Sequence, residues 1–325
     1  MNVNDLAKAA GVSVATVSRV LNNSSNVSPE TRSKVLKVIN EMGYRIKKSK
    51  NDGEKKTRLI LVLITSMGNS LYSDMVKGME EVANKMGFHV IVANCYNNEE
   101  HLSAFLPLLS RKIIDGIIMA GTLFNTGEIL KLSLKFPIVQ CGEILCDDLP
   151  FVSTDNESAA FEIVNMIAAK GRKRIALLTV NNLRTSTVGR LKGYIRALQH
   201  NNIPFDKDLV VYSTYGYHDT LEVMEKFIYE NPDIDGLFSI SDKMAAAAIH
   251  VFKKAGKRVP EDISVASIDN SQYSYTIEPN ITTVYHRQTE MGRKAAEMLI
   301  NKINNKAVPS NQIFVGYDLI KRDSI

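Results

Sequence analysis

Three charged side chains lie where an apolar run gives way to a polar one. Asp242 follows the apolar stretch ending at Ile240, Asp269 follows Ser264–Ile268, and Arg190 opens a helix after a loop rich in Thr and Ser. One cation and two carboxylates at strand ends can converge on the hydroxyls of a sugar or on the polar edge of a base. Charged bidentate groups fix orientation, and an aromatic face adds stacking area. Tyr72, Phe124, Tyr215 and Tyr217 are the aromatic candidates, with core packing as the competing reading; Glu143 and Asp155 are further carboxylates at strand ends. Asp242 and Asp155 can instead cap the helices that follow them, and Arg190 can instead form a surface salt bridge.

A second constellation lies near the N-terminus. Val14, Ala15, Ser18 and Arg19 occupy the outward positions of a short helix whose inner face carries Val17, Val20 and Leu21. An arginine so placed can bond a guanine in bidentate fashion, whereas Val14 and Ala15 can only make apolar contacts, such as one to a thymine methyl. Ser13, Thr16, Asn22, Ser28 and Thr31 are hydroxyls or amides near helix N-termini, suited to phosphates or, in the plainer reading, to capping alone. Charge points the same way. Residues 1–58 hold 12 Lys and Arg against 5 Asp and Glu, while the whole chain is only +5. A basic head on a near-neutral body suits a polyanion that contacts the head only.

Little supports catalysis or a metal. His89, His101, His200, His218, His250 and His286 lack metal spacing, and the chain has no nucleophile elbow, phosphate loop or dinucleotide fingerprint. Cys95, Cys141 and Cys146 fit neither a disulfide framework nor a zinc knuckle. The longest apolar run, Leu59 to Ile64, is strand-sized, and no signal peptide is visible, so a cytoplasmic protein without a membrane partner is expected.

These groups need elements to position them. Residues 1–44 read as three short helices, the first ended by Gly11, the second capped by Ser13, and the third begun by Ser28 and Pro29 and stopped at Gly43. Two helices joined across a glycine-containing turn form a helix-turn-helix. Arg45 to Arg58 is polar and cationic and reads as a linker. Beyond it, apolar strands alternate with amphipathic helices. The strands are expected at Leu59–Thr65, His89–Asn94, Gly116–Ala120, Ile138–Cys141, Phe151–Ser153, Ile175–Thr179, Val210–Ser213, Gly236–Ile240, Ser264–Ile268 and Thr282–Tyr285. Helices are expected at 72–86, 99–111, 157–170, 188–202, 218–230, 242–255 and 287–304. Such alternation builds parallel sheets covered on both faces, and about ten strands imply two similar lobes. No sequence repeat is visible. Ligands of open α/β sheets sit at the carboxyl ends of the strands.

The stretch Val3-Asn4-Asp5-Leu6-Ala7-Lys8-Ala9-Ala10-Gly11-Val12-Ser13-Val14-Ala15-Thr16-Val17-Ser18-Arg19-Val20-Leu21-Asn22, with Val27-Ser28-Pro29-Glu30-Thr31-Arg32 and Gly43-Tyr44, closely resembles the head of the lactose-repressor family of bacterial regulators. The body resembles the same family's effector domain through Asp115-Gly116-Ile117-Ile118, Ser153-Thr154-Asp155-Asn156, Ser241-Asp242-Lys243-Met244-Ala245, Ile268-Asp269-Asn270 and Pro279-Asn280-Ile281-Thr282-Thr283-Val284. The resemblance implies base reading by Val14, Ala15 and Arg19, and phosphate contacts by Ser13, Thr16, Ser18, Asn22, Ser28 and Thr31. It also implies effector binding at Arg190, Asp242 and Asp269.

The implied fold is α/β: a small all-α helix-turn-helix head plus a two-lobed periplasmic-binding-protein-like domain of parallel sheets. The divisions are 1–46 for the head, 47–57 for the cationic linker and 58–325 for the effector-binding and dimerisation domain. Its first lobe covers about 58–155 and 286–311, its second about 156–285 and 312–325. The implied function is that of a homodimeric repressor of carbohydrate-utilisation genes that binds double-stranded operator DNA and senses a sugar or sugar derivative, with no cofactor. The helix at 72–86 and its neighbours in the first lobe are the expected dimer surface. A purine effector, a protein partner, an α/β enzyme with a helical appendage and a sugar-transport binding protein are the rival readings, the last disfavoured by the basic head.

One departure from the family stands out. Its members usually follow the tyrosine with Pro-Asn and an Ala-Arg-x-Leu stretch that folds on DNA and wedges a leucine into the minor groove. Here Arg45-Ile46-Lys47-Lys48-Ser49-Lys50 follows Tyr44. A wedge needs such an apolar side chain. A cationic tether in which Lys47 and Lys48 touch phosphates is expected in its place. Replacing Lys47, Lys48 and Lys50 together with Ala should flatten the salt dependence of DNA affinity, by about one power of salt concentration per lost phosphate contact. Fluorescence-anisotropy titrations over a salt series check this, and an unchanged slope would place the tether away from phosphate.

Overall fold

Gly11 takes a φ of +62°, a conformation open to a residue without Cβ, and this ends the first helix. The Val12 N–H then bonds back to the Ala7 carbonyl at 3.0 Å. The computed structural model describes residues 3–21, 27–28, 30–31, 34–35, 38, 56–96, 98–121 and 126–325. Asn22, Lys47, Lys48 and Phe124 lie outside them, as does most of the expected linker.

Two compact units follow from the contacts, residues 1–55 and 56–325. In the first, α1 (Val3–Ala10) and α2 (Val14–Leu21) flank the Gly11 turn, and residues 30, 31, 34, 35 and 38 are also helical. Ser13 Oγ accepts the Thr16 N–H at 3.1 Å, and Ser28 Oγ accepts that of Thr31 at 3.3 Å. Leu6, Ala7, Ala10, Val17, Val20 and Val35 form the buried core of this unit.

The second unit has two sheets. The chain first lays down β1 (Leu59–Ile64), α3 (Ser70–Lys85), β2 (His89–Asn94), α4 (Glu99–Ser110), β3 (Gly116–Ala120), α5 (Thr126–Ser133), β4 (Ile138–Cys141) and β5 (Phe151–Thr154). It crosses to α6 (Asn156–Ala168), β6 (Ile175–Val180), α7 (Thr185–His200), β7 (Val210–Ser213), α8 (Tyr217–Glu230), β8 (Gly236–Ser239), α9 (Asp242–Lys254), β9 (Ser264–Ile268), α10 (Tyr273–Thr276) and β10 (Thr282–Tyr285). It returns through α11 (Gln288–Ile303) and β11 (Gln312–Val315), then crosses again to β12 (Asp318–Ile320). The sheet orders are β11-β5-β4-β3-β1-β2 and β12-β10-β9-β8-β6-β7. The strands pair in parallel except β12, which runs antiparallel to β10. β3, β6, β8 and β9 are buried along their whole length, as expected of strands covered on both faces.

The lobe boundary differs from the sequence expectation. Residues 312–315 belong to the first lobe, because β11 pairs in parallel with β5, and only β12 joins the second sheet. The helices at 126–133 and 273–276 and both of these strands were also not expected from the sequence. Three segments therefore join the lobes, at residues 155, 286–287 and 316–317.

The lobes repeat one another where the sequence shows no repeat. Asp115, just before β3, accepts the backbone N–H groups of Thr57 and Arg58 at 3.2 and 2.7 Å. Asp235, just before β8, accepts those of Lys173 and Arg174, both at 2.8 Å. Each carboxylate fastens the entrance of its sheet's first strand.

Glycines let the paired helices of each lobe touch backbone to backbone. A Cβ on Gly78 would lie 2.0 Å from the Thr289 carbonyl oxygen, and one on Gly292 would lie 1.9 Å from that of Met75. In the second lobe a Cβ on Gly193 would lie 2.2 Å from the Glu157 oxygen. One face of α3, with Tyr72, Met75, Gly78, Met79 and Ala83, is thereby buried, while Ser73, Asp74, Lys77, Glu80 and Asn84 are exposed. Gly292→Ala should lower the unfolding free energy by about 2–3 kcal/mol, because neither backbone can retreat without moving its helix. Gly68→Ala meets nothing closer than Ser66 Oγ at 3.7 Å and serves as the neutral control. Urea denaturation of the two variants decides the point; equal stability would mean that α3 and α11 can slide apart cheaply.

Candidate functional site

A cleft of about 510 Å³ opens where the carboxyl ends of both sheets face each other. Thr65 and Ser66 follow β1, Glu143 follows β4, Arg184 and Ser186 follow β6, Lys243 follows β8 and Asp269 follows β9; all line it.

Arg190 sits at its floor, only 7 % exposed. Its Nε donates to Asn156 Oδ1 at 3.1 Å and its Nη1 to the Ile240 carbonyl at 2.8 Å. Its Nη2 lies 3.3 Å from His286 Nε2 and 4.0 Å from Asp269 Oδ1. This is a held interior cation and not a surface ion pair. Burial, reinforced by the neighbouring guanidinium, holds His286 well below its ordinary 6.5, so the ring is neutral. With Nε2 accepting from Arg190, the ring proton sits on Nδ1, which is buried and has no partner among the described residues. Ser271 Oγ and Gln288 Oε1 are likewise buried and unpartnered, and all three residues line the cleft.

Asp269 has a φ of +120°, outside the conformations a side chain ordinarily permits. Its N–H bonds to the Val284 carbonyl at 2.9 Å, and its own carbonyl accepts from Gln288 Nε2 at 3.0 Å, which pins the strained turn from both sides. Burial pushes its carboxyl up to about 7; Arg190 pulls the other way, and Asp242 adds to the rise.

Asp242 does not reach the cleft, contrary to the sequence expectation, and it is not the cap of α9, which is Ser241. It is fully buried and accepts from Thr283 Oγ1 at 2.6 Å, from Ser267 Oγ and from the Ser271 N–H. Its carboxylate ties the ends of β9 and β10 together and sets the turn that carries Asp269 and Ser271. Asp155 also stays out of the cleft: its carboxylate caps α6 by accepting the Ser158 N–H at 2.9 Å.

Glu143 lines the cleft and reaches the opposite lobe. It accepts from the Ser186 N–H at 3.1 Å, from Thr185 Oγ1 at 2.9 Å and from Ser186 Oγ, and thus occupies the positive end of α7. Tyr72 is buried against Gly121 and bonded to Thr65 Oγ1 at 2.8 Å, so it forms a wall of the cleft. Tyr215 lines the opening and is 41 % exposed, while Tyr217 packs on the core of the second lobe.

Sequence reasoning passed over His286, Gln288, Asn156, Ser271, Arg184 and Lys243. His286 carried a usable signal, because it follows β10 directly, as Asp269 follows β9. Among the described residues no group of His, Cys, Asp and Glu is arranged to hold a metal ion.

In the head, Val14, Ala15, Ser18 and Arg19 are exposed on α2, and Val17 and Val20 face inward. The Ser13 and Thr16 hydroxyls bond each other at 2.8 Å, and that of Ser28 bonds that of Thr31 at 2.9 Å, so these groups are already engaged at helix starts.

Residues 2–46 match the family model described as bacterial regulatory proteins, lacI family, and residues 164–325 match that of a periplasmic binding protein-like domain. The chain is 32 % identical to catabolite control protein A of Priestia megaterium, over 100 % of this chain and 99 % of that protein. It is 29 % identical to the transcriptional repressor CytR of Escherichia coli, over 98 % of this chain and 95 % of the other. Among solved structures it resembles the complex of the transcriptional regulator CelR with cellobiose, at 27 % identity and a TM-score of 0.77 over the whole of both chains.

Asp269 has a pH signature that can be measured. Its folded pKa stands above its ordinary 3.8, so its contribution to stability is lost as pH rises towards about 7. His286, depressed from 6.5, contributes with the opposite sign over the same range. Asp269→Asn removes only the first. The variant should therefore gain about 1–2 kcal/mol on the wild type between about pH 5 and pH 7.5. Urea denaturation at both pH values checks this; a constant difference would mean that Asp269 is ionised throughout.

Proposed function

Because the chain belongs to the lacI family of bacterial regulatory proteins and is a DNA-binding transcriptional regulator, we propose that it represses carbohydrate-utilisation genes as a homodimer under the control of a sugar or sugar derivative. Each head contributes α2 to one half-site of a near-palindromic operator. Arg19, Val14 and Ala15 meet base edges there, while the hydroxyl-bearing helix starts, with Ser13, Thr16, Ser18, Ser28 and Thr31, approach phosphate, joined by Asn22, Lys47 and Lys48. A single small head covers too little DNA to be both tight and specific, which is why a dimer is required. Such a regulator works in the compartment that holds the operator, the bacterial cytoplasm, and needs no catalytic group.

The observation that carries the effector reading is the set of unsatisfied atoms on residues that line the same cleft as Arg190. His286 Nδ1 is a donor, Ser271 Oγ a donor or acceptor, and Gln288 Oε1 an acceptor, and none has a partner among the described residues. Buried polar groups left unpaired cost about 1–3 kcal/mol each. A ligand rich in hydroxyls both donates and accepts, and so meets this mixture better than a purely accepting or purely apolar molecule does. Arg190 and Asp269 then orient it, with Tyr72 and Tyr215 along its faces. The site draws on both lobes and on the segments joining them, so a ligand there favours one lobe arrangement over others. That differential binding is what couples effector to DNA affinity.

Selection of bound fragments from random DNA, with and without candidate sugars, tests the whole reading. The wild type should enrich paired half-sites. Arg19→Ala should cost about 1–3 kcal/mol on the enriched site and relax preference at one base pair in each half. An equal loss on every sequence would assign Arg19 to phosphate and not to a base.

A further inference from the structure

The charges in the cleft do not cancel once each is assigned to its partner. Arg190 has Asp269 beside it. Glu143 is taken up by the first turn of α7, through one backbone N–H and two hydroxyls. Two further cations line the same cleft, Arg184 and Lys243, and among the described residues neither has a carboxylate within ion-pair distance. Arg184 lies against the hydroxyl of Tyr72, on the other lobe.

Their places in the chain make this surplus stranger. Arg184 is the N-cap of α7 and makes no side-chain capping bond, although this position favours Ser, Thr, Asn or Asp. Lys243 stands in the first turn of α9, whose cap Ser241 also makes no side-chain capping bond. The start of a helix carries partial positive charge, so a cation there is unfavourable unless an anion joins it. Asp242, the acid of that first turn, is turned inward to Ser267, Thr283 and Ser271 and does not offset Lys243 at the cleft surface. The cleft also holds the buried, unpartnered polar atoms of His286 and Gln288, which are 3 % and 2 % exposed, so it is built for a ligand and not merely left open.

From this we propose that the effector is an anionic saccharide, whose phosphate or carboxylate enters between the starts of α7 and α9 and is held by Arg184 and Lys243. The inference rests on the sugar-sensing reading above and narrows it. Arg190, Asp269 and His286 take the hydroxyls; Arg184 and Lys243 take the charge. An anion in that place would neutralise two unpaired cations and meet the uncapped start of α9, the start of α7 being already occupied by Glu143.

Calorimetric titration of the full-length protein with matched pairs tests it. The pairs are glucose with glucose 6-phosphate, fructose with fructose 6-phosphate, ribose with ribose 5-phosphate, and galactose with galacturonate. In at least one pair the charged member should bind about tenfold or more tightly than its neutral counterpart. The phosphate and carboxylate arms tell which anion is used. Arg184→Gln combined with Lys243→Gln should erase the difference, and Arg184→Lys combined with Lys243→Arg should keep it. Thermal melting without ligand establishes that each double variant is folded. Neutral members binding as tightly as charged ones, or a preference that survives the glutamine pair, would overturn the proposal and leave the sugar reading intact. A panel in which no member of any pair binds would count against both.

Discussion

A guanidinium withdrawn from water needs a counter-group on every side, and Arg190 obtains them from the second lobe and from one of the segments that join it to the first. Asn156 stands just past the first crossing and His286 on the second; the Ile240 carbonyl and the Asp269 carboxylate close the remaining sides. Removing a cation from water costs several kcal/mol, which only such a complete set of partners can offset. The arrangement constrains what surrounds it. His286 must stay neutral beside a permanent cation, Asp269 is kept partly charged by it, and the ring atom that His286 turns away from Arg190 is left for a ligand. The polarity of the cleft follows from where this one side chain is held.

Much of the fold was legible in the sequence because its signals are local. Ser13 with Thr16 and Ser28 with Thr31 are capping pairs three residues apart, and Gly11 supplies a turn that a Cβ would strain. Runs such as Leu59–Ile64 and Ser264–Ile268 declare themselves as buried strands. β11 does not, because it is a four-residue edge strand with only Val315 buried, and its place depends on pairing with β5 some 160 positions earlier. The candidate site was legible to a lesser degree for the same reason. Asp242 and Asp269 both come at the ends of apolar strands, and nothing nearby in sequence distinguishes them. One faces inward because hydroxyls from β9 and β10 meet it there; the other faces the cleft because a strained turn points it outward. His286 looks ordinary until the crossing brings Arg190 to it.

The two lobes solve the same packing problem in the same way. Each starts with a strand whose entrance is fastened by the aspartate of an Asp-Gly pair, Asp115-Gly116 in one and Asp235-Gly236 in the other. Each contains a helix pair brought into backbone contact by glycine, α3 with α11 and α6 with α7. Such pairs leave little room to deform, so each lobe is suited to move as a block, with the three joining segments taking up the motion.

That stiffness has a mechanical consequence for β1. The strand leaves the Asp115 clamp at Leu59 and reaches the cleft wall at Thr65 and Ser66, and it is locked in register with β2 and β3 on either side. Six residues of strand span about 20 Å. Slippage by even one residue would turn every side chain to the wrong face, so pairing on both sides holds the strand as one piece. The strand therefore joins the cleft wall at Ser66 to the Asp115 clamp at residues 57 and 58 as one stiff span within its sheet.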